Sequence, residues 1–366
     1  MILVVFGTTG ELIKLAPVLL GLDRRGHRYV LATTGQQVQQ IPSFLEQFGL
    51  RQPDLWLGRG ARGRDLSTNG DIPGWFATVA RSFTRNRRAL GRRLRMGPGR
   101  PLVLIHGDTM TTVLGALMGR RLRVPVAHIE GGLRSYDLRH PFPEELNRRL
   151  ASGLARIHYA PGPWAASNLG GRDVVDTGSN TIRDSLALVG DGPAPLELPD
   201  EPYGVVSLHR FELLNDRARL GATLAVLAET SARTPLVFVD HPVTVAAVRR
   251  FGLADLFDGV RFRRVPRLRF FDFVRLERRA GFVVTDSGGS QEECFYLDLP
   301  CLVHRMRTER REGLGENAVL SGLHAGSLRD FLDDPGRFRR RSPLPEAAPS
   351  EIIVDDLAAR GFAGRG

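Results

Sequence analysis

Ile2-Leu3-Val4-Val5-Phe6-Gly7-Thr8-Thr9-Gly10-Glu11-Leu12-Ile13-Lys14 begins as an unbroken apolar run, breaks at a glycine-bearing turn and resumes as a helix. A short apolar run of this kind reads as a strand buried on both faces, and the turn as the passage from strand to helix. The pattern recurs. Tyr29–Ala32, Leu102–Ile105, Val124–His128 and Ile157–Ala160 read as further strands in the first half, each ending in a polar or glycine-bearing loop. A second series follows with Gly204–Leu208, Leu236–Asp240, Val260–Val265, Phe282–Thr285 and Cys301–His304. Strands alternating with helices predict an α/β protein built on parallel sheets covered on both faces. At 366 residues the chain exceeds what one hydrophobic core of roughly 250–300 residues supports, so two domains are expected. The boundary is placed near Ala165: residues 1–165, then 166–345, then a C-terminal segment 346–366. Within that segment Ile352–Phe362 has helical periodicity and is expected to dock back on the first domain. The Gly/Pro/Asp-rich stretch Gly190–Pro202 falls inside the second domain, and Arg85–Arg100 reads as a solvated helix ending in a turn. Ligands of such folds sit beyond the carboxyl ends of the strands, and two facing sheets would form a cleft there.

Composition narrows the function. With 42% hydrophobic and 25% charged residues the chain is an ordinary globular protein, and no apolar stretch approaches the roughly 18 residues of a membrane span. Met1–Gly7 lacks the positively charged segment that opens a signal peptide, so a cytoplasmic location is expected. Cys294 and Cys301 have no metal-ligand spacing and are too few for a disulfide framework. A formal charge of +11 would suit a nucleic-acid partner, but of the 51 basic residues all except Lys14 are arginine. That is a composition bias rather than a designed binding surface, and nucleic acid is not expected as a partner. The same bias singles out Lys14 as a place where a planar guanidinium does not fit.

Three carboxylates follow first-half strands or lie in the loops beyond them. They are Asp108 in His-Gly-Asp-Thr, Glu130 in His-Ile-Glu-Gly-Gly and Glu144 in Pro-Phe-Pro-Glu-Glu. Acidic groups gathered in a partly desolvated site raise one another's pKa values, which readies one as a base and another as an acid. Asp108 and Glu144 can equally serve as helix caps. In the second half Val205–Leu208 leads into His209-Arg210, and Phe282–Thr285 into Asp286-Ser287-Gly288-Gly289 at a helix start. Free N–H groups at such a start make an anion site, and Glu293 one turn later suits ribose hydroxyls. His209 beside Arg210 suits a phosphate contact or a proton shuttle.

These segments resemble the UDP-N-acetylglucosamine 2-epimerases in order and spacing over nearly the whole chain. The carriers are Gly7–Lys14, His106-Gly107-Asp108-Thr109, His128–Arg134, Pro141–Arg148, His209-Arg210 and Thr285–Glu293. The resemblance implies two facing Rossmann-like domains of GT-B type with an interdomain active-site cleft. It also implies elimination of UDP across C1–C2 to a 2-acetamidoglucal and protonation of C2 from the opposite face. Asp108, Glu130 and Glu144 would be the acid/base carboxylates, and His209 would assist at the departing diphosphate. Ser287, Gly288 and Gly289 would hold phosphates and Glu293 the ribose, with Lys14 and Arg210 offsetting negative charge near the nucleotide. Gln36, Arg134 and Arg310 complete the expected substrate-binding set. Neither a metal nor a redox cofactor is implied, and a homodimer is expected.

Four segments depart from the family pattern. Thr9-Gly10 replaces Arg-Pro, Gln37 replaces a histidine, His209-Arg210-Phe211-Glu212-Leu213 replaces His-Arg-Arg-Glu-Asn, and an arginine replaces proline in Thr308–Glu312. They alter the nucleotide and sugar surroundings while leaving the three carboxylates in place. Two alternatives therefore stay open beside the epimerase: a hydrolysing relative that releases UDP, and a glycosyltransferase of the same fold.

Overall fold

The computed structural model describes residues 1–366 except 67, 69, 138–142, 194–195, 341–345, 347 and 365–366. The described chain forms two compact units, Met1–Leu188 with Pro345–Gly366, and Val189–Leu344. Among the described residues no helix is long and apolar enough to cross a membrane.

The first unit is built on β1 (Ile2–Phe6), β2 (Tyr29–Thr33), β3 (Leu55–Trp56), β4 (Leu102–His106), β5 (Val126–Ile129), β6 (Ile157–Ala160) and β7 (Asp173–Asp176). They lie in the order β3-β2-β1-β4-β5-β6-β7, every neighbouring pair parallel. In this register Leu3 stands beside Val30 on one side and Val103 on the other. Alternate residues leave a strand on opposite faces. Leu3, Val5, Val103 and Ile105 accordingly share one core with Trp75, Val79 and Phe83 of the helix Asp71–Met96. Those three repeat at helical spacing, and Trp75 also donates from Nε1 to the Thr34 carbonyl at 2.8 Å, so its truncation to alanine would cost about 3–5 kcal/mol. The arginine-rich stretch Arg85–Arg100, expected as a helix ending in a turn, supplies the C-terminal part of this long helix up to Met96.

The second unit holds β8 (Gly204–Ser207), β9 (Leu236–Val239), β10 (Phe262–Val265), β11 (Phe282–Thr285), β12 (Cys301–Val303) and β13 (Ala318–Leu320). Their order is β10-β9-β8-β11-β12-β13, again parallel throughout. In both sheets the chain starts in the middle, builds to one side and returns to build the other. The strand order therefore reverses between β1 and β4 and between β8 and β11, where loops diverge and leave room for a ligand.

The units divide after Leu188, not near Ala165. The reason is pairing: β7 extends the first sheet beside β6, and Ser185 Oγ donates to the Ile13 carbonyl at 2.7 Å. The C-terminal helix spans Pro349–Ala359 and lies against the helix Thr9–Arg24, where Glu351 pairs with Arg24 at 2.6 Å. Asp356 accepts the Tyr159 hydroxyl at 2.9 Å from the same helix. Most of the proline-rich approach at 342–349 lies outside the described residues.

Candidate active site

The turns after β4 and β5 deliver their functional groups through local backbone rules. After β4, Gly107 turns the chain at φ +68°. Thr109, not Asp108, caps the helix Met110–Leu122, its hydroxyl accepting from Thr112 N at 3.3 Å. The Asp108 carboxylate is thus not used as a cap. It pairs with Arg148 at 2.5 Å, and its own carbonyl accepts Asn147 Nδ2 at 2.9 Å. Glu144 is the first residue of the helix Glu144–Leu154, a position where the helix dipole favours a negative charge. Pro141 and Phe142 of the same motif lie outside the described residues. Neighbouring Glu145 is fully buried and structural: it accepts Ser135 N at 2.9 Å and Arg149 Nε at 3.1 Å.

Glu130 follows β5 in a left-handed conformation, φ +64°, which costs a non-glycine residue about 1–2 kcal/mol. Its side chain is buried, and Oε1 accepts both Lys14 Nζ at 2.8 Å and Asn180 Nδ2 at 2.9 Å. Oε2 lies 3.5 Å from His106 Nε2. Lys14, expected near the nucleotide, is therefore turned onto Glu130. Beneath them His128 Nε2 lies 2.7 Å from the Gly107 carbonyl, and burial lowers the pKa of this ring.

The other expected first-unit residues bond to uncharged partners. Gln36 Nε2 donates to Thr111 Oγ1 at 2.8 Å. Gln37 Oε1 accepts both Thr9 N at 2.7 Å and Thr9 Oγ1 at 2.8 Å, so two of the departures from the family pattern touch each other. Arg134 donates to the Leu133 carbonyl at 2.8 Å and to Ser152 Oγ at 3.2 Å; burial, and after it the nearby Arg148 and Arg149, lowers its pKa.

In the second unit Asp286, directly after β11, joins the two strand ends at the switch point. Its Oδ2 accepts the backbone N–H of His209 and of Arg210, each at 2.7 Å, and Oδ1 lies 3.2 Å from His209 Nδ1. Burial pushes the Asp286 pKa up to about 6. Burial, with Arg210, Arg267 and Arg305 behind it, brings His209 down to about 4, so its ring is neutral at pH 7. It stacks on His241 with centroids 5.0 Å apart. Ser287 caps the helix Gly288–Tyr296, leaving Gly288 and Gly289 at its start. Glu293 is buried in the same helix. Arg310 is fixed by Glu292 at 3.1 Å, while Gln291 Nε2 donates to the carbonyls of Arg310 at 3.2 Å and Glu312 at 2.9 Å. Among the described residues no cluster of three His, Cys, Asp or Glu is arranged to hold a metal ion.

The family model for UDP-N-acetylglucosamine 2-epimerase matches residues 22–327. The chain belongs to this family. A Ralstonia nicotianae protein named "Probable UDP-N-acetylglucosamine 2-epimerase" is 31% identical, with 98% of each chain covered. A UDP-2,3-diacetamido-2,3-dideoxy-D-glucuronate 2-epimerase of Pseudomonas aeruginosa is 29% identical over 92% of this chain and 91% of its own. The Methanocaldococcus jannaschii UDP-GlcNAc 2-epimerase, solved in complex with UDP-GlcNAc and UDP, superposes with a TM-score of 0.80 at 26% identity. That superposition covers 98% of this chain and 99% of the other. This member of the UDP-N-acetylglucosamine 2-epimerase family thus keeps the family's two parallel-sheet α/β architecture.

Of the residues expected from sequence, Glu130 and Lys14 meet directly in the first unit. His209 and Arg210 meet Asp286 in the second, beside the Ser287–Gly289 helix start. Among the residues with defined contacts that were not expected are Glu11, Asn180 and Asp286. Asp286 and Glu11 stand inside the quoted motifs, so position beside a strand end was the available signal. Asn180 carried none.

Proposed function

We propose that this chain inverts C2 of a UDP-2-acetamido sugar, with UDP-N-acetylglucosamine as the first substrate to test. One carboxylate of the set Asp108, Glu130 and Glu144 takes the C2 proton as the C1–O bond to the diphosphate breaks, its electron pair leaving with UDP. A C1–C2 double bond forms, giving the 2-acetamidoglucal. A second carboxyl group returns a proton to the opposite face of C2, and the UDP oxygen re-forms its bond to C1. Protons and electrons balance without an oxidant or reductant.

The C2 proton is weakly acidic, so its removal has to be coupled to a stabilised leaving group. Gly288 and Gly289 supply N–H donors to the diphosphate and Ser287 its hydroxyl, Arg210 and Arg310 supply charge, and neutral His209 contacts the departing phosphate. Glu293 takes the ribose, and Gln36 and Arg134 the remaining polar groups. Lys14 acts on Glu130, holding that carboxylate oriented. The observation that carries this reading is the buried Glu130 carboxylate held by Lys14 and Asn180 just after β5, with Asp108 in the turn that follows the adjacent strand β4. The enzyme is proposed to work in the cytoplasm as a homodimer.

Proton NMR of UDP-N-acetylglucosamine incubated with the enzyme should show the C2 epimer of the nucleotide sugar. Free sugar and UDP instead would mark the hydrolysing relative. Sugar transfer to an added acceptor, without C2 inversion, would mark a glycosyltransferase. No change with either UDP-N-acetylglucosamine or the diacetamido-glucuronate nucleotide would overturn the proposal.

A further inference from the structure

Glu11 lies in the first turn of the helix Thr9–Arg24 and is only 3% exposed. Its Oε2 does what a capping box requires, accepting Thr8 N at 2.9 Å, and also takes Gly7 N at 2.8 Å and Thr8 Oγ1 at 3.0 Å. Oε1 does something a cap does not need. It crosses to the turn after β4 and accepts the hydroxyl of Thr109 at 2.8 Å, with Thr112 Oγ1 farther away at 3.5 Å. The Thr112 hydroxyl has its shorter contact, 2.7 Å, with the His106 carbonyl. One carboxylate therefore ties together the two turns that flank the switch point of the first sheet, and Thr109 is the residue next to Asp108.

We propose that Glu11 is a positioning residue, which sets the place of Asp108 by fixing the turn after β4 to the turn after β1. The inference rests on the epimerase reading above. Asp108 has anchors on its other side in Arg148 and Asn147, and Thr109 keeps its cap contacts with Thr112, so losing Glu11 removes one restraint of several rather than unfolding the turn. Burial raises the Glu11 pKa to about 7, opposed by the hydrogen bonds it accepts. A neutral glutamine is thus a close mimic, because its amide oxygen can face Gly7 and Thr8 while its NH2 donates to Thr109, whose hydroxyl accepts as readily as it donates. Alanine can do neither.

The test compares Glu11→Ala and Glu11→Gln with the parent, using kcat and KM on UDP-N-acetylglucosamine per mole of folded protein, with melting temperatures measured in parallel. Displacing a proton-transfer group by part of an ångström predicts a fall in kcat of about tenfold or more in Glu11→Ala, with KM within about threefold. Glu11→Gln should recover kcat to within about threefold of the parent. A role confined to capping would lower melting in Glu11→Ala and leave kcat of the folded fraction unchanged, which would overturn the inference. Equal losses in both variants would overturn it as well. A parent that shows no C2 inversion removes the epimerase reading and this inference with it, whereas an active parent with an unimpaired Glu11→Ala variant removes the inference alone.

Discussion

Lys14 Nζ and Glu130 Oε1 are 2.8 Å apart, and both side chains are buried although 116 residues separate them in the chain. A buried pair gains little net stability, yet removing one partner leaves an uncompensated charge at a cost of about 3–5 kcal/mol. Lys14→Met should therefore melt well below the parent and lose nearly all turnover. Lys14→Arg keeps the charge, but its larger planar fork would displace Glu130 by about an ångström, for a loss on the order of 100-fold in kcat/KM. Steady-state kinetics beside thermal melts decide the matter: an arginine variant as active as the parent would make the single lysine an accident of composition.

Asp108, Glu130 and Glu144 are the proposed proton-transfer groups. Asp108→Asn, Glu130→Gln and Glu144→Gln should each lower turnover by about 100-fold or more while the protein stays folded. Glu130→Gln also tests the ion pair, because it removes the carboxylate charge that faces the buried Lys14 ammonium and should lower melting. Normal activity in all three folded variants would reject the assignment.

The helix start at Gly288–Gly289 can be probed without large damage to the fold. A Cβ on Gly289 would meet nothing nearer than Ser287 Oγ at 3.5 Å, an ordinary contact, whereas one on Gly288 would press on Glu309 Oε1 at 3.2 Å and Arg310 Cγ at 3.3 Å. Gly289→Ala should accordingly keep or raise melting, since alanine favours a helix over glycine by about 1 kcal/mol. It should still weaken UDP binding if phosphate approaches the backbone here. Gly288→Val should weaken UDP binding more strongly and lower stability somewhat. Calorimetric UDP affinity unchanged in both variants would place the anion site elsewhere.

His304 offers a pH test. Its ring is buried between Thr223 Oγ1 at 2.9 Å and Ser321 Oγ at 2.8 Å, and burial lowers its pKa from 6.5 to about 4. The folded state therefore binds fewer protons than the unfolded one between those values. Stability from this group is present above pH 6.5 and is lost as pH falls through 4. His304→Asn should be less stable at pH 7, and its melting temperature should fall less steeply than the parent's between pH 6.5 and 4.5. Parallel melting curves across that window would contradict the assignment of a neutral buried ring.

What the sequence made legible was local. β1, β6 and β11 have the expected limits because each is a mostly apolar run closed by a polar or glycine-bearing loop. β7, Asp173-Val174-Val175-Asp176, went unread because an edge strand with exposed ends has no continuous apolar run, and missing it moved the domain boundary. β3 and β13, of two and three residues, are too short to carry a period. In the candidate site, residue type and placement after strands pointed to Asp108, Glu130 and His209. Partners lay beyond that reach: Asn180 meets Glu130 across 50 residues and Thr109 meets Glu11 across 98. Such pairs are set by which strands adjoin, a property of the folded sheet that local patterning does not encode.

The central claim is proton exchange at C2, and incubation with UDP-N-acetylglucosamine in deuterated water tests it most directly. Elimination and reprotonation predict that deuterium enters at C2 of the nucleotide sugar, that both C2 epimers carry it, and that Glu130→Gln abolishes incorporation. Turnover of the substrate with protium retained at C2 would contradict the account.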